Sequence, residues 1–133
     1  MNTDNEYSDR RLFLQIKFFI NRLYHNRNIK EHFDYNDYID SICEFYEKPR
    51  SAVLSKCRKR ELVIVRQITQ TLLKQTFPMS LKQVGEIAGN VGHADVLHSM
   101  RTVKNLYQVD AQYQKRINKL LEQMGIERTV MNY

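Results

Sequence analysis

Apolar side chains recur every three or four positions along most of the chain, a spacing that predicts helices rather than strands. The first predicted helix covers about residues 9–24, and its apolar positions are Leu12, Phe13, Ile16, Phe19, Ile20 and Leu23. The second covers residues 36–47 and ends before Pro49, because helical backbone is disfavoured just before a proline. Ser51 is expected to cap a short helix that runs through Val53 and Leu54.

The second half of the chain continues the helical pattern. A long helix is predicted over residues 61–75, with Leu62, Val65, Ile68, Leu72 and Leu73 on its inward side. Ser80 opens the next helix and is followed three residues later by Gln83, which is the spacing of a capping box. A turn over residues 89–92 leads into a helix over 93–107, and Asp110 caps the last helix. Residues 125–133 show no regular pattern, so the predicted fold class is all-α.

The composition is that of one small domain, with 133 residues of which 42% are hydrophobic. Only 4 glycines and 2 prolines are present, which disfavours a loop-rich all-β fold. No apolar run is long enough for a bilayer, and the polar, acidic start does not resemble a signal peptide. We therefore expect a cytoplasmic protein that does not associate with membranes and keeps its thiols reduced.

Charge is distributed unevenly along the sequence. Residues 1–48 carry 7 basic and 9 acidic side chains, whereas residues 49–133 carry 14 basic and 6 acidic ones. The densest basic run extends over residues 56–60. A positive patch on a small helical domain favours a polyanionic partner, most often nucleic acid. Charge alone leaves open the alternative that the run is a solvated surface.

Catalytic and metal chemistry find little support in the sequence. The two cysteines, Cys43 and Cys57, are not spaced as zinc ligands and are too few for a disulfide framework. The four histidines include no pair at positions i and i+4. No motif marks a nucleophile beside an oxyanion hole. We expect no cofactor, no metal and no enzymatic activity.

The helices predicted over residues 80–88 and 93–107 are joined by a turn of about four residues with two glycines. This is a helix-turn-helix arrangement. In such a motif the second helix enters the major groove, and its first residues meet base edges. Those residues are Gly92, His93, Ala94, Asp95 and His98. A plain helical hairpin within a bundle is the alternative that this pattern leaves open.

Three blocks of sequence resemble, in order and spacing, the C-terminal DNA-binding domain of the bacterial replication initiator DnaA. The first is Ser55-Lys56-Cys57-Arg58-Lys59-Arg60 followed by Arg66-Gln67-Ile68, similar to the family's basic loop and long central helix. The second, residues 80–89, and the third, residues 93–99, are similar to the two helices of its helix-turn-helix. The resemblance covers residues 34–124 and implies a compact, Trp-repressor-like helical domain that docks on double-stranded DNA.

The resemblance also implies which residues contact DNA. Arg58 matches an arginine that reaches a minor groove, and His93 matches a base-contacting histidine. Arg66 and Gln67 match a pair that touches DNA, the arginine at a base. The recognition helix is expected in the major groove and the basic loop at the backbone and minor groove. The predicted DNA-binding residues are Lys56, Arg58, Lys59, Arg60, Arg66, Gln67, His93, Ala94, Asp95 and His98.

The chain departs from the family at the start of the recognition helix. Gly92 stands where the family usually has an acidic residue, and Ala94 and Asp95 replace two threonines. Val91 replaces a basic turn residue. An aspartate repels phosphates but can accept a hydrogen bond from cytosine N4. We therefore expect either a different target sequence or largely electrostatic binding.

The sequence contains no G-x-x-x-x-G-K-[ST] phosphate loop, so we expect a module that binds no nucleotide and lacks the initiator's ATPase core. Its predicted regions are an N-terminal helix in 1–33, the helix-turn-helix domain in 34–124 and a tail in 125–133. The N-terminal helix packs on the domain or, alternatively, forms a homodimer. The rival function is a helical protein–protein interaction module (an adaptor) that kept the scaffold but lost specific DNA binding.

Overall fold

The computed structural model describes residues 12–14, 16 and 34–133, and within these residues every regular element is helical. The elements are α1 (Tyr35–Phe45), α2 (Arg50–Val53), α3 (Arg60–Thr76), α4 (Leu81–Ile87), α5 (His93–Val109), α6 (Ala111–Met124) and a 3-10 helix (Arg128–Met131). The all-α class is therefore confirmed for the described part of the chain.

Helix α3 lies at the centre of the domain. It contacts α1, α2, α4, α5 and the 3-10 helix. Ile68, Leu72 and Leu73 on α3 are at most 1% exposed. Burial of each such side chain contributes about 1.5–3 kcal/mol. All five residues predicted to face inward from this helix are buried, so that prediction is confirmed.

Two of the three predicted helix caps are present. The Ser80 hydroxyl accepts from the Gln83 amide, and the Gln83 side chain accepts from the Ser80 amide, which completes a capping box. One carboxylate oxygen of Asp110 accepts from two backbone amides at the start of α6. The Ser51 cap is wrong. Helix α2 begins at Arg50 with Pro49 at the N-cap position, two residues earlier than predicted, because the Pro49 carbonyl already accepts from the amides of residues 52 and 53.

Helices α1 and α2 are fastened together by Arg50. Its Nη2 donates to the Asn36 side-chain oxygen over 2.6 Å, and its Nη1 donates to Asp40 over 2.8 Å. The bond to Asp40 is also an ion pair. This contact fixes the orientation of α2 and hence the start of the basic segment that follows it.

Among the described residues near the N-terminus, the side chain that is buried is not one of those in the predicted apolar stripe. Leu14, which was not among the predicted positions, is 3% exposed and belongs to the core cluster. Leu12 and Ile16 are 55% and 49% exposed. The Leu14 side chain is therefore the one that packs against the core among the described residues of this segment. The predicted positions Phe19, Ile20 and Leu23 lie outside the described residues.

The C-terminal tail is more regular than its sequence indicates. Gly125 ends α6 in the left-handed conformation at φ 68°, and the chain then folds back on the domain. Met131 is buried, and the Tyr133 hydroxyl donates to the Met100 carbonyl of α5. The Lys104 ammonium lies 5.2 Å from the centre of the Tyr133 ring. The tail therefore braces α5 through contacts with Met100 and Lys104.

Candidate nucleic-acid interface

One concave region, which we call the basic cleft, gathers most of the predicted contact residues. It has a volume of about 490 Å³ and lies between the segment after α2, helix α3, the turn after α4 and the start of α5. Its lining residues are Ser55, Lys56, Arg58, Val63, Arg66, Gln67, Gln70, Gly89, Asn90, Val91, Gly92, Asp95, His98 and Ser99. The three sequence blocks thus surround a single cleft.

Six of the ten predicted residues line this cleft, namely Lys56, Arg58, Arg66, Gln67, Asp95 and His98. The other four are Lys59, Arg60, His93 and Ala94, which are exposed and lie within two residues of a lining residue in sequence. The charged side chains of the lining are three cations, Lys56, Arg58 and Arg66, and one carboxylate, Asp95. The cleft is therefore cationic with a single acidic group at its edge.

In the structure the basic loop is the segment between α2 and α3, residues 54–59, because Arg60 already belongs to α3. Its charged side chains are exposed to solvent. Ser55 shapes the loop, because its hydroxyl donates to the Ala52 carbonyl over 2.6 Å and accepts from the Cys57 amide over 3.1 Å. Lys56, Arg58 and Lys59 are exposed. Within residues 34–133 the ion pair found is that of Arg50 with Asp40, so these loop cations stay unpaired there.

Arg66 is less exposed than the loop cations and is already hydrogen-bonded. Its Nε donates to the Val53 carbonyl over 2.6 Å, and its Nη2 donates to the carbonyls of Cys57 and Ala52 over 2.9 and 3.4 Å. Desolvation of the guanidinium lowers the pKa of Arg66. The side chain therefore lines the cleft while holding the backbone of the basic loop.

Gln70 is a cleft residue that sequence reasoning missed. It is 2% exposed, and its Nε2 donates to the Ala88 carbonyl at the end of α4 over 2.6 Å. Its Oε1 is buried without a hydrogen-bond donor among the described residues. The sequence signal was the run of polar residues from Thr69 to Thr71 inside an apolar helix. Gln70 connects the central helix to the helix-turn-helix.

The turn of the helix-turn-helix depends on a close backbone approach. The Val91 amide donates to the Gly85 carbonyl over 3.0 Å. A Cβ on Gly85 would overlap the Val91 carbonyl and come 3.3 Å from Val96 Cγ2. Sequence reasoning noted the glycines of the turn but not Gly85, whose place inside a short helix was the available signal.

The start of α5 is open to solvent. Gly92 is the N-cap residue, with ordinary extended backbone at φ −79° and no side-chain cap bond. A Cβ on Gly92 would have no heavy atom within 4 Å. His93, Ala94, Asp95 and His98 are all exposed. The Asp95 carboxylate lies in the first turn, where the positive end of the helix dipole stabilises it.

Residues 34–133 and the few described positions before them contain no group of three or more metal-ligating side chains. No helix in this described part combines the length and apolar character needed to cross a bilayer.

Residues 36–103 match the family described as the bacterial DnaA protein helix-turn-helix. The chromosomal replication initiator protein DnaA of Bacteroides thetaiotaomicron is 35% identical over 85 residues, which cover 64% of this chain and 18% of that protein. The protein of the same name from Bacteroides fragilis is 34% identical over 97 residues, which cover 73% and 20%.

A more distant relative is the chromosomal replication initiator protein DnaA of a Synechococcus strain, which is 30% identical over 87 residues. That match covers 65% of this chain and 19% of the relative. The chain thus spans about a fifth of the length of the relatives it matches. No solved structure gave a significant match.

Proposed function

The chain belongs to the bacterial DnaA helix-turn-helix family, and from this premise we propose that it binds double-stranded DNA through the basic cleft. The start of α5 enters the major groove, and the basic loop lies along the backbone toward a minor groove. The observation that carries this proposal is the assembly of Lys56, Arg58 and His98 around one cleft. Lys56 and Arg58 come from the basic loop and His98 from α5, and all three side chains are exposed and outside the core.

The electrostatics support the same partner. The exposed cations of the basic loop have no acidic partner within residues 34–133, so they retain their capacity to bind phosphates. Release of counterions from neutralised phosphates gives such a surface affinity for any duplex. This contribution provides no sequence preference, which must come from side chains at base edges.

We further propose that the sequence preference differs from the family's usual one. Gly92 provides no side chain at a position where the family usually has an acidic residue, although the space there is open. Asp95 instead places a carboxylate in the first turn of α5. A carboxylate in the major groove accepts from cytosine N4. The reading residues are therefore His93 and Asp95, supported by His98 at the cleft.

The direct test is a fluorescence anisotropy titration of a labelled mixed-sequence duplex at several salt concentrations. Arg58→Ala should weaken binding by about 1–3 kcal/mol and reduce the magnitude of the log–log salt slope by about one. The matched control is Lys119→Ala, which removes an exposed lysine of α6 outside the cleft lining. Equal affinities for the native protein and both variants would contradict the proposal.

The sequence preference is tested separately, by selection of bound sequences from a random duplex pool.

A second function, an adaptor that binds protein instead of DNA, is favoured by the exposed Asp95 carboxylate within a cationic cleft. An adaptor would show no steep salt dependence in the titration with the labelled duplex and would enrich no sequence from the pool. The same two measurements therefore decide between the functions.

We also propose that the N-terminal segment contributes to a homodimer. Leu12 and Ile16 are about half exposed and lie on one side of a helical turn, while Leu14 enters the core. A two-fold dimer would suit paired half-sites on DNA. Sedimentation equilibrium of the native chain and of the double variant Leu12→Ser with Ile16→Ser tests this. A monomer at all concentrations would refute it.

A further inference from the structure

The guanidinium of Arg66 is occupied on one edge by the protein itself. The single N–H of Nε is directed to the Val53 carbonyl, and Nη2 is directed to the carbonyls of Cys57 and Ala52. A guanidinium has five N–H groups, of which only the two on Nη1 then remain. The planar guanidinium fork recognises guanine O6 and N7 through N–H groups on two of its nitrogens. Arg66 in this conformation retains no such pair.

The same side chain also touches the helix-turn-helix. An ideal Cβ on Gly89 would lie 3.0 Å from Arg66 Cδ and 3.7 Å from its Nε. Gly89 has a φ of 105° and is buried, so the backbone of the turn approaches the arginine stem directly. Arg66 therefore lies between the two parts of the cleft, with the basic loop on one side and the turn on the other.

We propose that Arg66 is a positioning residue, which holds the basic loop at a set distance from the recognition helix and does not read a base. This inference rests on the proposed DNA-binding function for its purpose, but its structural part can be tested without DNA. If Arg66 moved to reach a base, the carbonyls of Val53 and Cys57 would lose their donor. An unpaired polar group of this kind is costly. Loop placement and base reading thus compete for the same N–H groups.

The chain contains two thiols that report on this arrangement. Cys57 belongs to the basic loop, is half-buried, and gives its carbonyl to Arg66. Cys43 is 3% exposed in the core. Loosening of the loop alone would expose Cys57, whereas unfolding of the domain would expose both thiols. The ratio of their alkylation rates therefore separates a local change from a global one.

The experiment follows alkylation of both cysteines by iodoacetamide, resolved by mass spectrometry, in the native chain and the variants Arg66→Ala, Arg66→Lys and Lys119→Ala without DNA. Arg66→Ala should raise the Cys57 rate about tenfold or more, since each lost hydrogen bond favours local opening. The Cys43 rate should not change. Arg66→Lys should resemble Arg66→Ala, because one ammonium cannot reach all three carbonyls. Lys119→Ala, which changes an exposed residue of α6 outside the cleft, should leave both rates unchanged.

DNA titrations of the same variants complete the test. Both Arg66 variants should lose affinity in parallel with their loss of Cys57 protection. Normal Cys57 protection together with weakened DNA binding in the Arg66 variants would overturn the proposal and assign Arg66 to direct contact. Rates that rise equally at both cysteines in Arg66→Ala and Arg66→Lys would assign it to general stability, which also overturns the proposal. If the native chain binds no duplex, the proposed function fails while the thiol result still tests the placement of the loop.

Discussion

The Val91 amide donates a hydrogen bond to the Gly85 carbonyl over 3.0 Å, and this contact brings the turn directly onto α4. The Val91 carbonyl carbon would stand 3.1 Å from a Cβ on Gly85. The position therefore accepts no side chain without movement of the turn, and the angle between α4 and α5 depends on it.

Gly85→Ala should destabilise the domain by about 2–3 kcal/mol, because overpacking against backbone cannot be relieved by a change of side-chain rotamer. Urea denaturation followed by circular dichroism measures the change. Gly92→Asp is the matched control. It adds a side chain in open space at an N-cap and should change stability by a few tenths of a kcal/mol in the favourable direction. Equal destabilisation in both variants would contradict the assigned role of Gly85.

Asp95→Asn should alter which base is preferred. Asparagine pairs with adenine through N6 and N7, whereas a carboxylate accepts from cytosine N4. The variant should therefore exchange a cytosine preference for adenine at one position of the selected site. Loss of the negative charge should also raise affinity for a mixed duplex about two- to fivefold, because repulsion of phosphates is removed. Selection from a random duplex pool measures the first effect and a titration the second. Identical selected motifs for both proteins would refute the role of Asp95.

Asp110→Ala should reduce the free energy of unfolding by about 1 kcal/mol, since two amides at the start of α6 lose their acceptor. Ser51→Ala provides the comparison. Ser51 is exposed and makes no cap bond, so its replacement should leave stability within about 0.5 kcal/mol. A larger effect from Ser51 than from Asp110 would reverse the assignment of these caps.

Stability should fall in alkaline solution because of Cys43. Burial raises the pKa of this thiol from 9.0 to about 12, so the folded state disfavours the thiolate. The contribution is fully present below pH 9 and is lost as the pH rises toward 12. Urea midpoints measured from neutral to alkaline pH should fall less steeply for Cys43→Ala than for the native chain. Identical slopes would mean that the thiol is not protected in the folded state.

Local signals predicted much of the fold. The period of three to four residues located α1, α3, α4 and α5 to within about two residues, because an amphipathic helix carries its own pattern. The caps at Ser80 and Asp110 were also visible, since a cap is made within four residues of sequence. The Ser51 cap was predicted by the same rule and was wrong, because the Pro49 carbonyl had already started the helix.

The contact residues of the candidate site were proposed from resemblance and the charge pattern, and six of them line one cleft. Only the tertiary structure could connect the cleft's parts. Arg66 donates to carbonyls nine to fourteen residues away, and Gln70 to one eighteen residues away. Such hydrogen bonds cannot be recognised from the periodicity of the sequence, since they depend on how helices pack and not on neighbours along the chain. For the same reason Leu14 enters the core, while Leu12 and Ile16 of the regular stripe stay about half exposed. Hydrophobic spacing decides which segments become helices, whereas the three-dimensional competition for buried space and hydrogen-bond partners decides what each side chain does.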